Sequence, residues 1–361
     1  MKYLLFLFLL LPLLAQVYVS RRVWQVLPLP LWARVAVVTV MAQAFITFFL
    51  SLSPWLDKLP LDLAGRLYNV GTAWIIILLY LVMVFGVLDL GSLLHLVPRR
   101  LLHANLAATL VITGLLAVVF GCANRHYEKK QRVEMTIDTG GKVSRPMRVV
   151  LVSDLHLGYH NRRSDLRRWL GLLTEERPDA LLIAGDLVDH SMRPVMEERM
   201  AEEFKTVGVP MYAVFGNHDY YAGIDADREF CRLAGITLLK DSTVTIGDVT
   251  IVGRDDRTNP HRKSLETVMK GIDRQRFILE LDHQPYHLEE AEQAGVDFEF
   301  AGHTHHGQVW PISWITEAVY ECAFGPLQKG RTRYYVSSGM GIWGAKFRIG
   351  TQSEYLVLNL R

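Results

Sequence analysis

Between Met147 and Gln308 the chain places carboxylates, imidazoles and one amide directly after short apolar runs. Asp154 and His156 follow "VVLVS", and Gly185-Asp186 follows "ALLIA". Gly216-Asn217-His218-Asp219 follows "MYAVF", His283 follows "FILELD", and Gly302, His303, His305 and His306 follow or close "FEFAGHTHH". Each fragment alone is weak. Ser, Asp and Gly punctuate turns, so a lone D-x-H is common by chance, and a lone His303 is more often a satisfied polar residue than a ligand. The joint order Asp, His, Asp, Asn, His, His, His, all at strand exits, points instead to a dinuclear metal site. Glycines beside most of these residues allow the tight turns such a site needs.

Positioning them requires a particular fold class. The apolar runs Arg148–Ser153, Ala180–Ala184, Met211–Phe215, Val249–Val252, Phe277–Leu281, Phe298–Ala301 and Tyr334–Ser337 read as strands. Helical stretches lie between several of them. "SDLRRWLGLLTEE" spaces Leu166, Trp169, Leu170 and Leu173 as one apolar helical face, with Ser164 as a candidate N-cap. This alternation predicts a layered α/β domain. In such folds the loops after the strands gather at one face and share a crevice.

The first third of the chain differs. Half of the 361 residues are hydrophobic and 21% are charged, and the apolar excess sits before Arg125. Four segments, roughly Tyr3–Val19, Leu31–Ser53, Val70–Val97 and Ala104–Gly121, approach or exceed the ~20 residues needed to cross a bilayer. They pair into two helical hairpins through "SRRVWQVLPLP" and "VPRRLLH". The first could be a signal sequence, but no small-residue cleavage site precedes a soluble domain. Asp89 lies inside the third span, near enough its end for snorkelling or helix packing to explain it, and Gly86 and Gly91 could allow close helix contact.

With four spans, the N-terminus and the C-terminal domain share one side. That side carries Lys2, Lys58, Arg66, Arg125, Lys129, Lys130 and Arg132, against Arg21, Arg22, Arg34, Arg99 and Arg100 on the other. Seven against five favours a cytoplasmic catalytic domain. A multi-pass inner-membrane protein is expected, with residues 1–124 a four-helix transmembrane region, 125–146 a linker and 147–361 the catalytic domain. The net charge of +2 gives no field for nucleic acid. Cys122, Cys231 and Cys322 read as unpaired thiols of a reducing compartment.

The five blocks resemble the calcineurin-like metallophosphoesterases, whose pattern is D-x-H, G-D, G-N-H-D/E, H and G-H-x-H. The resemblance runs from about Met147 to the C-terminus. It implies a four-layer β-sandwich flanked by helices, with the metals at one edge. It also implies that Asp154, His156 and His305 hold one metal, that Asn217, His283 and His303 hold the other, and that Asp186 bridges them. Neutral imidazole and carboxylate suit manganese, iron or zinc, and the absence of cysteine argues against a structural zinc site. The implied reaction is attack of a metal-bound hydroxide on a phosphoester or pyrophosphate. His218 would protonate the leaving oxygen and Asp219 would orient His218.

The tail "YVSSGMGIWGAKFRIGTQSEYLVLNL", with Gly339, Gly341 and Arg348, is similar to a bacterial membrane-associated branch of that superfamily. That branch includes enzymes like UDP-2,3-diacylglucosamine pyrophosphatase, so a lipid-linked nucleotide and membrane lipids are implied partners. The alternatives within enzymes are a general or cyclic-nucleotide phosphodiesterase and a protein phosphatase. Outside enzymes, the alternative is a metal-binding membrane sensor or scaffold.

His306 stands where relatives often have glycine, and either contacts substrate or faces solvent. His160 and His190 read as loop residues, and Arg162 and Arg163 as a solvated helix entry. Trp310, Trp314, Tyr320 and Phe324 read as core, with membrane docking or acyl-chain contact as the alternative.

Overall fold

The computed structural model describes residues 2–361, which divide into two compact units, Met1–Asn124 and Arg125–Arg361. The first is built on helices α1 (Lys2–Val26), α2 (Leu31–Ser51), α3 (Leu61–Leu93) and α4 (Leu106–Glu128). Among the described residues, α2, α3 and α4 are long and apolar enough to cross a membrane. Pro30 precedes α2 and Pro60 precedes α3, where the fixed φ of proline suits a helix entry. Helix α3 starts nine residues before the expected Val70, since Leu61–Asn69 is helical despite Asp62 and Arg66. Val19, Met41, Phe45, Leu78, Leu81, Phe85 and Ile112 pack together.

Asp89 is held by α1. Tyr18 Oη donates to its Oδ2 at 2.6 Å, and Arg22 donates from Nε at 2.8 Å. An ion pair between helices therefore explains the charge, rather than snorkelling. Close helix contact also falls elsewhere than expected. A Cβ on Gly86 would meet nothing within 4 Å, whereas one on Gly71 would lie 2.7 Å from the Phe48 backbone.

The second unit holds strands β1 (Lys130–Ile137), β2 (Met147–Val152), β3 (Ala180–Ala184), β4 (Met211–Val214), β5 (Ile236–Leu238) and β6 (Ser242–Ile246). After them come β7 (Val249–Gly253), β8 (Phe277–Leu281), β9 (Phe298–Ala301), β10 (Gly325–Lys329), β11 (Thr332–Val336) and β12 (Ser353–Leu360). They form two six-stranded sheets, ordered β1-β12-β2-β3-β4-β5 and β10-β11-β9-β8-β7-β6. Within them β2, β3, β4 and β5 run parallel, as do β7, β8, β9 and β11.

Alternation along each strand sorts the layers. Val149 and Leu151 of β2 face the second sheet, packing with Ile251, Leu279, Phe298 and Phe300. Val150 and Val152 face outward, onto Leu166, Trp169, Leu170 and Leu173 of α5 (Arg163–Glu175). The short helices α6 (Arg193–Glu197), α7 (Ala201–Phe204), α8 (Asn217–Ala222) and α9 (Ile224–Ala234) follow on that side of the chain. Helices α10 (Leu265–Val268) and α11 (Glu289–Ala294) cover the second sheet through Leu265 and Ala291. The result is helix, sheet, sheet, helix, the expected four layers. The last helix, α12 (Ile312–Val319), lies outside these clusters.

Residues 125–146, expected as a linker, instead hold the end of α4 and all of β1, which pairs in parallel with β12 over its whole length. Only one residue, Lys129, separates the two elements.

Replacing Gly71 with Val would wedge α3 from α2 by colliding with the Phe48 backbone. We expect a loss of about 1–3 kcal/mol, read as a lower unfolding midpoint of the detergent-solubilised chain. Gly86→Val, at an open position, should leave the midpoint in place.

Candidate metal centre

Parallel pairing brings the motif loops together. The ends of β2, β3 and β4 lie side by side, with Val152 opposite Ile183 and Ala184 opposite Val214. In the other sheet Leu281 of β8 lies opposite Phe300 of β9. Five loops thus leave neighbouring strand ends at one edge of the sandwich.

Two groups of side chains converge there, each with ligand atoms within 4.8 Å: Asp154, His156 and His305, and Asp186, His283 and His303. His156 Nε2 and His305 Nε2 lie 3.0 Å apart, with Asp154 Oδ1 3.5 Å from the latter. Asp186 Oδ2 is 3.6 Å from His156 Nε2 and 3.1 Å from His283 Nε2, so it faces both groups. His283 Nδ1 lies 2.8 Å from the Ala184 carbonyl, which fixes the tautomer and leaves Nε2 as the donor atom. That Nε2 is buried without a hydrogen-bond partner, and so is Asn217 Oδ1. Buried polar atoms are ordinarily paired. Orphaned imidazole and amide atoms beside two carboxylates fit a pair of cations.

The backbone is bent to deliver them. Asp154, His156, Asp186, His303 and His305 all have φ between +45° and +70°. This left-handed region is sparsely populated by residues other than glycine. The loops are also pressed together. A Cβ on Gly216 would lie 2.1 Å from Asp186 Oδ1, and one on Gly302 would lie 2.3 Å from Asp154 Oδ2. Those glycines are there because the carboxylates occupy the space of a side chain.

Burial and neighbouring imidazoles push His303 down to about 4, and burial with His156 and Arg348 takes His305 well below its ordinary value. Both rings therefore stay neutral, with a lone pair to offer. Burial raises Asp154, whereas for Asp186 the burial effect is outweighed by His283, His218 and His156, which hold it well below the carboxylate range.

His218 sits against His156, ring centroids 4.6 Å apart. Its expected orienting partner was Asp219, but the carboxylate beside it is Asp189. Asp189 Oδ1 is 3.3 Å from His218 Nδ1 and 3.3 Å from His156 Nδ1, and its Oδ2 is 2.8 Å from His190 Nδ1. Asp219 is turned the other way. It is the third residue of α8, and its oxygens accept from the backbone N–H of Gly216 at 2.7 Å and of Val188 at 2.9 Å. That is the return bond of a helix capping box. Burial, then Asp186, pushes Asp219 up to about 6. For His218 the burial effect is outweighed by Asp186 and Asp189, which push it up to about 9.

The other singled-out residues are placed as follows. His160 Nε2 faces the Ile342 carbonyl at 2.6 Å. Arg162 and Arg163 are taken up by Glu198 and Glu203. His306 neither faces solvent freely nor points to open space: it bonds Glu317 at 2.9 Å and stacks on Phe324 at 4.7 Å. Trp314, expected as core, is exposed. Two supports were missed. Asp189 lies three residues after Asp186, in "GDLVDH". Asp256, held by Gln284 Nε2 at 2.9 Å and by the Thr258 N–H, contributes charge to His283 and His303.

Arg348 is fully buried. Its guanidinium donates to the carbonyls of His305, Ser338 and Gly341 and to Ser353 Oγ. It joins the His305 turn to the loop that follows β11.

Comparison with known proteins agrees with this geometry. Residues 147–307 match the model of the calcineurin-like phosphoesterase family. A transmembrane protein with metallophosphoesterase domain from Danio rerio is 30% identical over 309 residues, covering 77% of this chain and 69% of that one. The chain belongs to the calcineurin-like phosphoesterase family. An uncharacterized metallophosphoesterase of Helicobacter pylori is 28% identical over 226 residues, 61% of each chain. The match thus spans about three fifths of that relative's length. Among solved structures, a putative 5′-nucleotidase from Staphylococcus aureus superposes with a TM-score of 0.37 at 12% identity, covering 56% of this chain and 49% of that one.

Removing the Arg348 guanidinium would leave several buried carbonyls without a donor. Arg348→Met is expected to cost on the order of 2–4 kcal/mol in the thermal unfolding of the full chain in detergent. It should also weaken divalent-metal retention on dialysis, because the His305 turn loses its tie. An unchanged midpoint together with unchanged metal content would show that the guanidinium holds nothing in place.

Proposed function

We propose that the chain is a membrane-held phosphohydrolase that cleaves a phosphoester or phosphoanhydride bond with two divalent cations. One would be held by Asp154, His156 and His305, and the other by Asn217, His283 and His303, with Asp186 between them. The observation that carries this reading is Asp186, which faces both side-chain groups while Asn217 Oδ1 and His283 Nε2 stand buried and unpartnered. When bound, such a pair supplies charge neutralisation at the phosphoryl oxygens and acidifies water.

The chain's own residues do the rest. Asp189 lies against His218 Nδ1 through its carboxylate and its carbonyl, the latter at 3.2 Å. That leaves Nε2 as the nitrogen able to pass a proton to the departing oxygen. Buried Asp219 holds the α8 turn that carries Asn217 and His218.

We read the substrate as lipid-linked, with a UDP-2,3-diacylglucosamine-like pyrophosphate as the leading example and a simple or cyclic-nucleotide phosphodiester as the alternative. The apolar helices of residues 1–124 support a substrate met at a membrane. On the four-span arrangement expected from the sequence, the charge tally supports residues 147–361 in the cytoplasm. Manganese, iron and zinc all suit the donor set.

The test uses purified full chain, metal analysis and bis-p-nitrophenyl phosphate turnover. Asp186→Asn should lose bound metal and activity together; full retention of both would refute its place between the cations. His218→Ala should keep its metal while turnover falls about 100-fold or more. Asp189→Asn should keep most of its metal and lower kcat about 10–100-fold, with the alkaline limb of the rate profile moved to lower pH, because His218 loses a neighbour that holds its proton. If the profile keeps its shape, Asp189 has only a packing role.

A further inference from the structure

Helix α12 is built inside out. Its buried residue is Ser313, while Trp314, Ile315 and Val319 are 62%, 63% and 59% exposed. Successive helical residues are separated by about 100°, so Trp314, Ala318, Ile315 and Val319 form one continuous outward stripe. Trp310, also exposed, packs edge-on against Trp314 at 5.3 Å. Elsewhere in Arg125–Arg361 the exposed large apolar side chains are Leu172, Met196, Tyr221 and Tyr286, drawn from separate elements. Four of the eight therefore fall within Trp310–Val319. Isolated exposed apolar residues need no explanation, but a contiguous patch does.

The patch is fixed to the metal centre. A Cβ on Gly307 would lie 2.4 Å from Ser313 N, so the first turn of α12 rests directly on the His303–Gln308 loop. Glu317, the charged residue of the helix, is turned aside to bond His306 at 2.9 Å. The unusual histidine after His305 thus ties α12 to a turn that carries candidate metal ligands. It also keeps the Glu317 carboxylate beside His306, off the stripe formed by Trp314, Ala318, Ile315 and Val319.

What covers the stripe is indicated by the chain itself. Helix α4, long and apolar enough to cross a membrane, ends at Glu128, and β1 begins at Lys130. The unit carrying α12 is therefore joined to such a helix by a single residue. A tryptophan with aliphatic neighbours on a short helix, packed against a second tryptophan just before it, suits the headgroup boundary of a bilayer, where indole rings concentrate.

We propose that the outward stripe of α12 lies in the headgroup–acyl boundary of a phospholipid bilayer and holds the metal-centre loops against that surface. The inference rests on the membrane-held reading above, and extends it to a specific contact. It gives the site access to phosphoesters carried in the bilayer without their leaving it.

The test uses the full chain in phosphatidylethanolamine–phosphatidylglycerol nanodiscs. Cys122 is the exposed cysteine, while Cys231 and Cys322 are buried, so Cys122→Ser gives a background for one label. An environment-sensitive fluorophore on Ile315→Cys should be quenched by doxyl-labelled lipids, about fivefold more than the same label on Met196→Cys, and should resist aqueous iodide. A label open to iodide and indifferent to doxyl lipid overturns the proposal. So does a label shielded from both, which would mean that protein covers the stripe.

A triple variant, Trp314→Ser with Ile315→Ser and Val319→Ser, should turn over soluble bis-p-nitrophenyl phosphate within about twofold of the parent, yet lose about tenfold on a bilayer-borne phosphoester. Equal loss on both substrates, or none on either, overturns a role in presenting the bilayer. If the parent fails on every bilayer-borne ester, the lipid-linked substrate reading falls, while the label still decides whether α12 docks.

Discussion

The structure of Arg125–Arg361 depends on holding imidazole nitrogens and carboxylate oxygens closer together, and drier, than they would rest by choice. His156 and His305 present ring nitrogens to each other at 3.0 Å, and Asp186 lies within 3.6 Å of rings from both groups. Five of these residues sit in left-handed backbone, each at a cost of order 1–3 kcal/mol. None of this is stable on a flexible loop. It is tolerated because every loop leaves a strand buried in a parallel sheet, where neighbouring strands fix both ends. The fully buried β3 and β8 are the clearest cases.

Around this tension stands a set of braces that use backbone as much as side chain. Asp219 holds the start of α8, Arg348 gathers the carbonyls of two loops, and Asp189 aligns several imidazoles with one carboxylate. Their common feature is multiplicity. A guanidinium has five N–H donors and a carboxylate about four acceptor positions, so a single residue can fix several segments at once. Water cannot replace them, because the braces are buried.

The distinction between the strained residues and their braces explains what could be read from the sequence. The strands that carry the site were legible because buried parallel strands are uninterrupted apolar runs, as in "ALLIA" and "FILEL". Edge strands were not. β1 reads KQRVEMTI and is largely exposed on one face, so it passed for a basic linker. β10 contains Gly325 and Pro326, which argue against a strand everywhere except at an edge. The clustered residues were legible because their types and order are improbable without a shared purpose. The braces were not, because an aspartate in a loop is ordinary and its partners are distant in sequence. Asp219 was misread for the opposite reason. It is next to His218 in the chain, but in the first turn of a helix adjacent side chains point apart.

The five motif loops come from both sheets, three from the first and two from the second, and β12, the final strand, fills the place between β1 and β2. A centre distributed in this way is a rivet through two plates. During synthesis, the residues of the first plate emerge well before His283, His303 and His305, and the first sheet closes only once β12 has been made. On the proposed two-cation reading, tight capture needs loops from both sheets, so loading with metal would report that the two plates have come together.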